Sequence, residues 1–451
     1  MTDPTTLAAW DHAHVWHPFT QMADWLAEEP LVIAAAEGCT LVDTAGRRYL
    51  DGVSSLWCNV HGHRHPALDG ALRDQLGKVA HTTLLGLASP PSIELARALV
   101  GVAPPGLTRV FYSDAGATAV EVALRIALQY QQLRGAPRRT RFASLVEAYH
   151  GDTLGAVGVG FSETFHRWLA PAVASAVRLP PPHVFRWQRR MDPEAAFAAA
   201  IEEAERTLTA EGETLAAVIV EPLVQGAAGM WVHPPAYLRA LHALARRHGA
   251  LFIADEVATG FGRTGRLFAC EHAGITPDLM CVAKGITGGY LPLAATLTTE
   301  DVFAAFLAPY EDFRAFFHGH TYTGNALACA VALASLELFG VEQTLERLAP
   351  KIARLVERLA SDVAPLAHVG DVRQQGFMVG IELVADRATR APYPPSARVG
   401  QRIVRAARAR GVIIRPLGNV IVLMPPLAIE MAELDRLVDV VADSIREATA
   451  T

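Results

Sequence analysis

Leu251-Phe-Ile-Ala-Asp-Glu-Val-Ala-Thr-Gly-Phe-Gly-Arg-Thr-Gly265 and, a few residues on, Pro277-Asp-Leu-Met-Cys-Val-Ala-Lys-Gly285 are the two runs from which the architecture can be read. Each contains a short apolar segment, residues 251–254 (LFIA) and 279–283 (LMCVA), bounded by polar or turn residues. Segments this short and this apolar predict buried strands, not solvent-facing helices. The same pattern recurs outward from them at 216–220 (AAVIV), 142–146 and 109–112 (RVFY). A helix-like stretch, 118–132, follows the last of these after a Gly-containing turn. Strands alternating with helices predict an α/β fold with a mostly parallel, mixed sheet.

Sheets of this kind bind ligands at the carboxyl ends of their strands. The first polar residues after three of the predicted strands are Glu221, Asp255 and Lys284, so all three are expected at one crevice. Residues 179–183, rich in proline, and the acidic helix 193–211 read as a surface excursion. From about residue 340 a long amphipathic helix (343–359) precedes strand-like runs at 376–383 and 412–424. We expect a small α+β domain built from both termini (residues 1–68 and 336–451) around a large domain spanning 69–335.

Composition narrows the function classes. The chain has 451 residues, 51% hydrophobic and 19% charged, as in a compact globule. A net charge of −6 disfavours nucleic acid or an anionic membrane as partner. No uninterrupted apolar stretch is long enough for a membrane span. Five scattered cysteines with no C-x-x-C pair point to a reducing, cytoplasmic setting and away from a zinc site. His61, His63 and His65 alternate along one segment, as do His12, His14 and His17 more loosely, but no metal is expected at either. Only three of the 40 Lys and Arg residues are lysines: Lys78, Lys284 and Lys351. Where arginine serves almost every positive charge, a retained lysine hints at chemistry that guanidinium cannot perform, such as forming an imine.

Asp255 and Lys284 at neighbouring strand ends suit pyridoxal-phosphate chemistry. A carboxylate can keep a pyridine nitrogen protonated, while an amine forms a Schiff base with an aldehyde. Val257 is placed to pack against such a ring. An ordinary ion pair fits the spacing as well. The turn at 113–118, with Gly116 and Ala117 at a helix start, offers free backbone N–H groups to an anion, and a plain helix cap fits it equally. Tyr149, after another strand, could stack on a flat cofactor or simply fill core.

The two opening runs resemble the signature of class III aminotransferases. Further segments resemble the branch of that class serving biotin synthesis: 16–22 (WHPFTQM), 51–63 (DGVSSLWCNVHGH), 81–86 (HTTLLG), 318–325 (HGHTYTGN) and 414–418 (IRPLG). The resemblance runs from about residue 15 to 426. It implies the pyridoxal-phosphate fold type I and a homodimer with active sites at the subunit interface. It implies Lys284 as the Schiff-base lysine and proton shuttle, Asp255 as partner of the pyridine nitrogen, and Tyr149 as the ring stack. Gly116, Ala117 and a Thr321 from the neighbouring subunit would hold the phosphate. Arg415 would grip the substrate carboxylate, with Glu221 its partner in the empty site, and Trp57, Phe19, Asp152 and Arg263 would line the substrate. The expected reaction aminates 8-amino-7-oxononanoate, with S-adenosylmethionine as donor.

Three positions depart from the best-known pattern of that branch: Phe19 for a tyrosine, Ala117 for a serine and Leu56 for a tryptophan. A subset of the branch shares the first and third departures, and some of its members use lysine as donor. The departures therefore bear on the donor and not on the reaction type. Another class III enzyme acting on ω-amino acids or diamines is the nearest alternative.

Overall fold

The computed structural model describes residues 2–188 and 191–450. Seven strands form the central sheet: β1 Leu107–Ser113, β2 Arg141–Leu145, β3 Val177–Leu179, β4 Leu215–Val220, β5 Leu251–Asp255, β6 Leu279–Val282 and β7 Ala294–Thr299. Their spatial order is β1-β7-β6-β5-β4-β2-β3. The neighbours from β6 to β3 are parallel. β7 runs antiparallel to both β6 and β1, which makes the sheet mixed.

Every residue of β4, β5 and β6 is buried, as expected of strands covered on both faces. Side chains alternate between two apolar layers. Ala217, Ile219, Ile253, Leu279 and Cys281 pack with Val120, Ala123 and Ala127 of the helix Gly116–Leu133. Val218, Val220, Phe252, Ala254, Met280 and Val282 pack instead into the layer containing Leu238 and Leu241 of the helix Pro235–Arg247. The two-residue period of the strands thus feeds two cores from one sheet.

Two strands of this sheet escape the sequence reading. β7 is Ala-Ala-Thr-Leu-Thr-Thr, with one large apolar side chain, and β3 has three residues. Residues 179–183 are not a surface excursion: Leu179, Pro180, Pro181 and His183 are buried. Pro180 accepts a hydrogen bond from the Tyr237 hydroxyl at 2.5 Å, and His183 stacks on Trp231 at 4.4 Å. The helix Pro193–Glu211 does lie on the outside, burying Ala196, Ala200, Ala204 and Leu208 at four-residue spacing.

The two chain ends meet in one sheet. Ile33–Glu37, Thr40–Asp43 and Arg48–Asp51 form an antiparallel meander, and Val412–Ile413 adds in parallel to its last strand. A second four-stranded sheet holds Val369–Gln375, Met378–Leu383, Val420–Leu423 and Arg415–Leu417. The amphipathic helix Thr344–Arg358 buries Leu348, Lys351 and Leu355. Residues from both chain ends thus build these two smaller sheets beside the central one. No single helix among the described residues is long and apolar enough to cross a membrane.

Candidate active site

Three neighbouring strands end together, with Glu221 after β4, Asp255 closing β5, and Lys284 two residues beyond β6. All three face a cavity of about 700 Å³, a size suited to a cofactor with its substrate. Trp57, Gly116, Ala117, Tyr149, Asp152 and Val257 also line it.

Lys284 opens a short 3-10 turn, Lys284–Thr287, with φ +45°, a left-handed conformation rare for a side-chain-bearing residue. The next position has no space to relax into, since a Cβ on Gly285 would lie 2.8 Å from Phe261 Cβ. Burial pulls the Lys284 pKa down; Asp255, Glu221 and Cys58 oppose it, and the Arg263 charge adds to it. Its Nζ lies 5.5 Å from the centre of the Trp57 ring. An amine with a depressed pKa is a better nucleophile and base at neutral pH.

Asp255 is buried, and its carboxylate has two donors. His150 Nδ1 lies 2.6 Å from Oδ2, and the Val257 N–H donates to Oδ1 at 3.1 Å. His150 is itself buried, and its Nε2 has no partner among the described residues. The sequence reading passed over this histidine; its place directly after Tyr149, at the end of β2, was the available signal.

Gly116 starts the helix Gly116–Leu133, whose first turn points free N–H groups and the positive end of its dipole at the cavity. A Cβ on Gly116 would fall 2.5 Å from Val257 Cγ1, so the glycine leaves the cradle open. Thr118 Oγ1 accepts from the Ala115 N–H at 2.9 Å and donates to the Ala115 carbonyl at 2.8 Å, holding the turn. A bare helix start, a buried carboxylate beside a buried amine, and an aromatic wall together fit pyridoxal phosphate.

Tyr149 donates from its hydroxyl to Asp152 Oδ2 at 2.6 Å, and its N–H donates to Glu221 Oε2 at 3.0 Å. The other Glu221 oxygen takes the Gly226 N–H at 2.9 Å. Burial raises the Glu221 pKa to about 7, with Asp255 adding and His150 opposing. The expected Glu221–Arg415 ion pair is absent among the described residues, and the two Glu221 oxygens are held by backbone N–H groups. Among the described residues nothing forms a hydrogen bond or ion pair with the Arg415 side chain; the residue, paired through its backbone with Val422, is half-buried and outside the cavity lining.

Arg263 does not reach the substrate space. Its guanidinium is fully buried and donates to the carbonyls of Pro425 and Asn59, each at 2.6 Å, tying the two chain ends to the large domain. Phe19 also stands off the lining; it packs edge-on against Phe165 at 5.9 Å. Leu56 is half-exposed, while Trp57 beside it turns inward. Thr321 is exposed on the single chain and lies outside the cavity, its carbonyl accepting from His81 Nε2 at 2.8 Å. Of the first histidine group considered for metal, His61 meets the Ser335 carbonyl and, at 3.8 Å, Glu342, which also takes His65, while His63 meets Asp51.

Comparison with known proteins agrees with this geometry. The class-III aminotransferase family profile matches residues 22–445. The chain is 59% identical over 444 residues to the adenosylmethionine-8-amino-7-oxononanoate aminotransferase of Nitratidesulfovibrio vulgaris, covering 97% of this chain and 81% of that one. It is 50% identical to the protein of the same name from Geobacter sulfurreducens, covering 99% of both. Among solved structures, the enzyme of that name from Methanocaldococcus jannaschii superposes with a TM-score of 0.94 at 43% identity, covering 99% of both chains. An (S)-enantioselective omega-transaminase from Thermomicrobium roseum superposes with 0.95 at 38% identity and the same coverage. The chain belongs to the class-III aminotransferases, and is a pyridoxal-phosphate-dependent transaminase of fold type I.

Proposed function

We propose that the protein aminates 8-amino-7-oxononanoate to 7,8-diaminononanoate for biotin synthesis, with S-adenosylmethionine as amino donor. The observation that carries this reading is the 59% identity over 97% of the chain to a relative named for that reaction. Shape alone does not separate it from the omega-transaminase, which superposes equally well.

When bound, pyridoxal phosphate supplies an aldehyde and an electron-accepting ring that acidifies the donor's carbon–hydrogen bond. Asp255, oriented by His150, would keep the ring nitrogen protonated. Tyr149 would cover one face of the ring and Val257 the other. The N–H groups of Gly116 and Ala117 would hold the phosphate; Ala117 offers only its backbone where a serine would add a hydroxyl. Lys284 Nζ would anchor the cofactor, then take a proton from the donor carbon and return it on the ring side. Arg415, free of any carboxylate partner, would receive the acid end of the acceptor through two parallel hydrogen bonds. Asp152 and Trp57 would meet the amine-bearing end.

We further assign a homodimer in which Thr321 of one subunit completes the phosphate site of the other. Its exposure, beside the exposed Tyr322, Phe317 and Leu85, supports this. We place the enzyme in the cytoplasm, where its five unpaired thiols stay reduced.

A donor panel with 8-amino-7-oxononanoate as acceptor tests the proposal. Turnover with S-adenosylmethionine supports it. Turnover with lysine alone assigns the lysine-dependent form, and turnover only of ω-amino acids or simple diamines replaces it by the second reading. Lys284→Ala should abolish transamination in every case while leaving a folded protein.

A further inference from the structure

We infer that His166 is a positioning residue of the active site, holding Asp152 and Tyr149 in register at the cavity mouth. This rests on the aminotransferase reading of the cavity and not on the identity of the donor. His166 closes the short helix Glu163–His166, in a stretch that the sequence reading assigned no role. Its side chain is 3% exposed, while the Asp152 carboxylate beside it is 49% exposed and lines the cavity.

The hydrogen bonds leave the imidazole no freedom. The Ser162 N–H donates to Nδ1 at 3.1 Å, and the Ser162 carbonyl takes the His166 N–H at 2.8 Å. An acceptor role at Nδ1 puts the proton on Nε2, which lies 3.2 Å from Asp152 Oδ1. The other Asp152 oxygen takes the Tyr149 hydroxyl at 2.6 Å. Two donors from opposite sides therefore fix the plane of an otherwise mobile surface carboxylate. Among the described residues no lysine or arginine lies within ion-pairing distance of it, so its charge stays directed at the cavity, where an amine would arrive.

Aromatic packing sets the ring itself. His166 is nearly parallel to Tyr149, at 6.0 Å between centres and 13° between planes, with Phe161 and Phe165 at 6.0 and 6.1 Å. Phe165 in turn meets Phe19 edge-on. Phe19, expected as a substrate contact, thus reaches the site through Phe165 and His166.

The test uses the holoenzyme carrying His166→Phe, His166→Gln, Asp152→Asn and the double variant Asp152→Asn/His166→Phe. Phenylalanine keeps the ring and removes both hydrogen bonds; glutamine carries a donor near the place of Nε2. Three quantities are measured: kcat and KM with whichever donor the wild type uses fastest, the pyridoxal-phosphate dissociation constant, and Tm. His166→Phe should raise the KM for donor by about tenfold, the loss of one hydrogen bond to a charged group, with kcat and Tm less affected. His166→Gln should recover to within about threefold of wild type, and the double variant should be no worse than Asp152→Asn alone. The cofactor dissociation constant should rise in His166→Phe less than in a Tyr149→Ala control. Effects of the two single changes that multiply, glutamine no better than phenylalanine, or a loss that tracks Tm would overturn the inference. Failure of S-adenosylmethionine as donor would instead count against the proposed reaction and leave this result readable.

Discussion

His150 Nδ1 stands 2.6 Å from Asp255 Oδ2, both side chains almost wholly enclosed. A carboxylate in that setting needs a donor on each oxygen, and the second comes from the Val257 backbone. Replacing His150 with phenylalanine should cut kcat/KM about tenfold and weaken pyridoxal-phosphate binding, whereas asparagine, whose amide reaches the place of Nδ1, should cost less than about threefold. Steady-state kinetics and cofactor titration check this. Equal losses in both variants would make the ring's bulk, and not its hydrogen bond, the important feature.

Gly116→Ala tests the phosphate cradle. At an ordinary helix start this change is harmless or mildly favourable. Here the added methyl would lie 2.5 Å from Val257 Cγ1. Cofactor affinity should fall about tenfold or more, and a second change, Val257→Ala, should restore part of it. Titration of the apoenzyme with pyridoxal phosphate measures both effects, and unchanged affinity in Gly116→Ala would remove the steric argument.

Glu221 predicts a pH dependence of stability. Burial raises its pKa from 4.5 to about 7, so between those values the native state binds a proton that the unfolded chain lacks. Its contribution is complete below about pH 4.5 and is lost as pH rises through about 7, on the order of 3 kcal/mol in all. Glu221→Gln should flatten the decline in denaturation midpoint across this window. A decline of the same steepness in the variant would assign it to other groups.

Arg263→Ala should act on the fold before it acts on the reaction. The guanidinium fills a closed site and satisfies two carbonyls, so its removal should cost about 4 kcal/mol. Thermal unfolding should show this, with the KM for either substrate changed little in the folded fraction. A large rise in KM with unaltered Tm would return Arg263 to the substrate site.

Much of this was legible in the chain because β4, β5 and β6 are continuous apolar runs, each closed or closely followed by a charged residue. Such runs announce themselves without partners, and their order puts Glu221, Asp255 and Lys284 together. β7 was hidden because a strand clamped between two neighbours needs little apolar bulk of its own. Arg263 misled for a different reason. Its partners, Asn59 and Pro425, lie 204 and 162 positions away, and a charged residue beside a cofactor motif reads as a ligand contact until they are seen. His150 and His166 were missed because their meaning lies in which carboxylate each one touches. The place of Phe19, off the cavity lining, likewise emerges only from its contact with Phe165.

The shared sheet of the chain ends has a consequence for synthesis. The Ser54 hydroxyl donates to the Met424 carbonyl across 370 positions, and Leu50 pairs with Val412 in the same region. The meander from Ile33 to Asp51 is therefore made long before the strand Val412–Ile413 that fills its last edge. The central sheet, whose strands lie between, can assemble during that wait. Until Val412–Ile413 is made, Arg48–Asp51 presents an uncovered β edge, the kind that recruits stray strands.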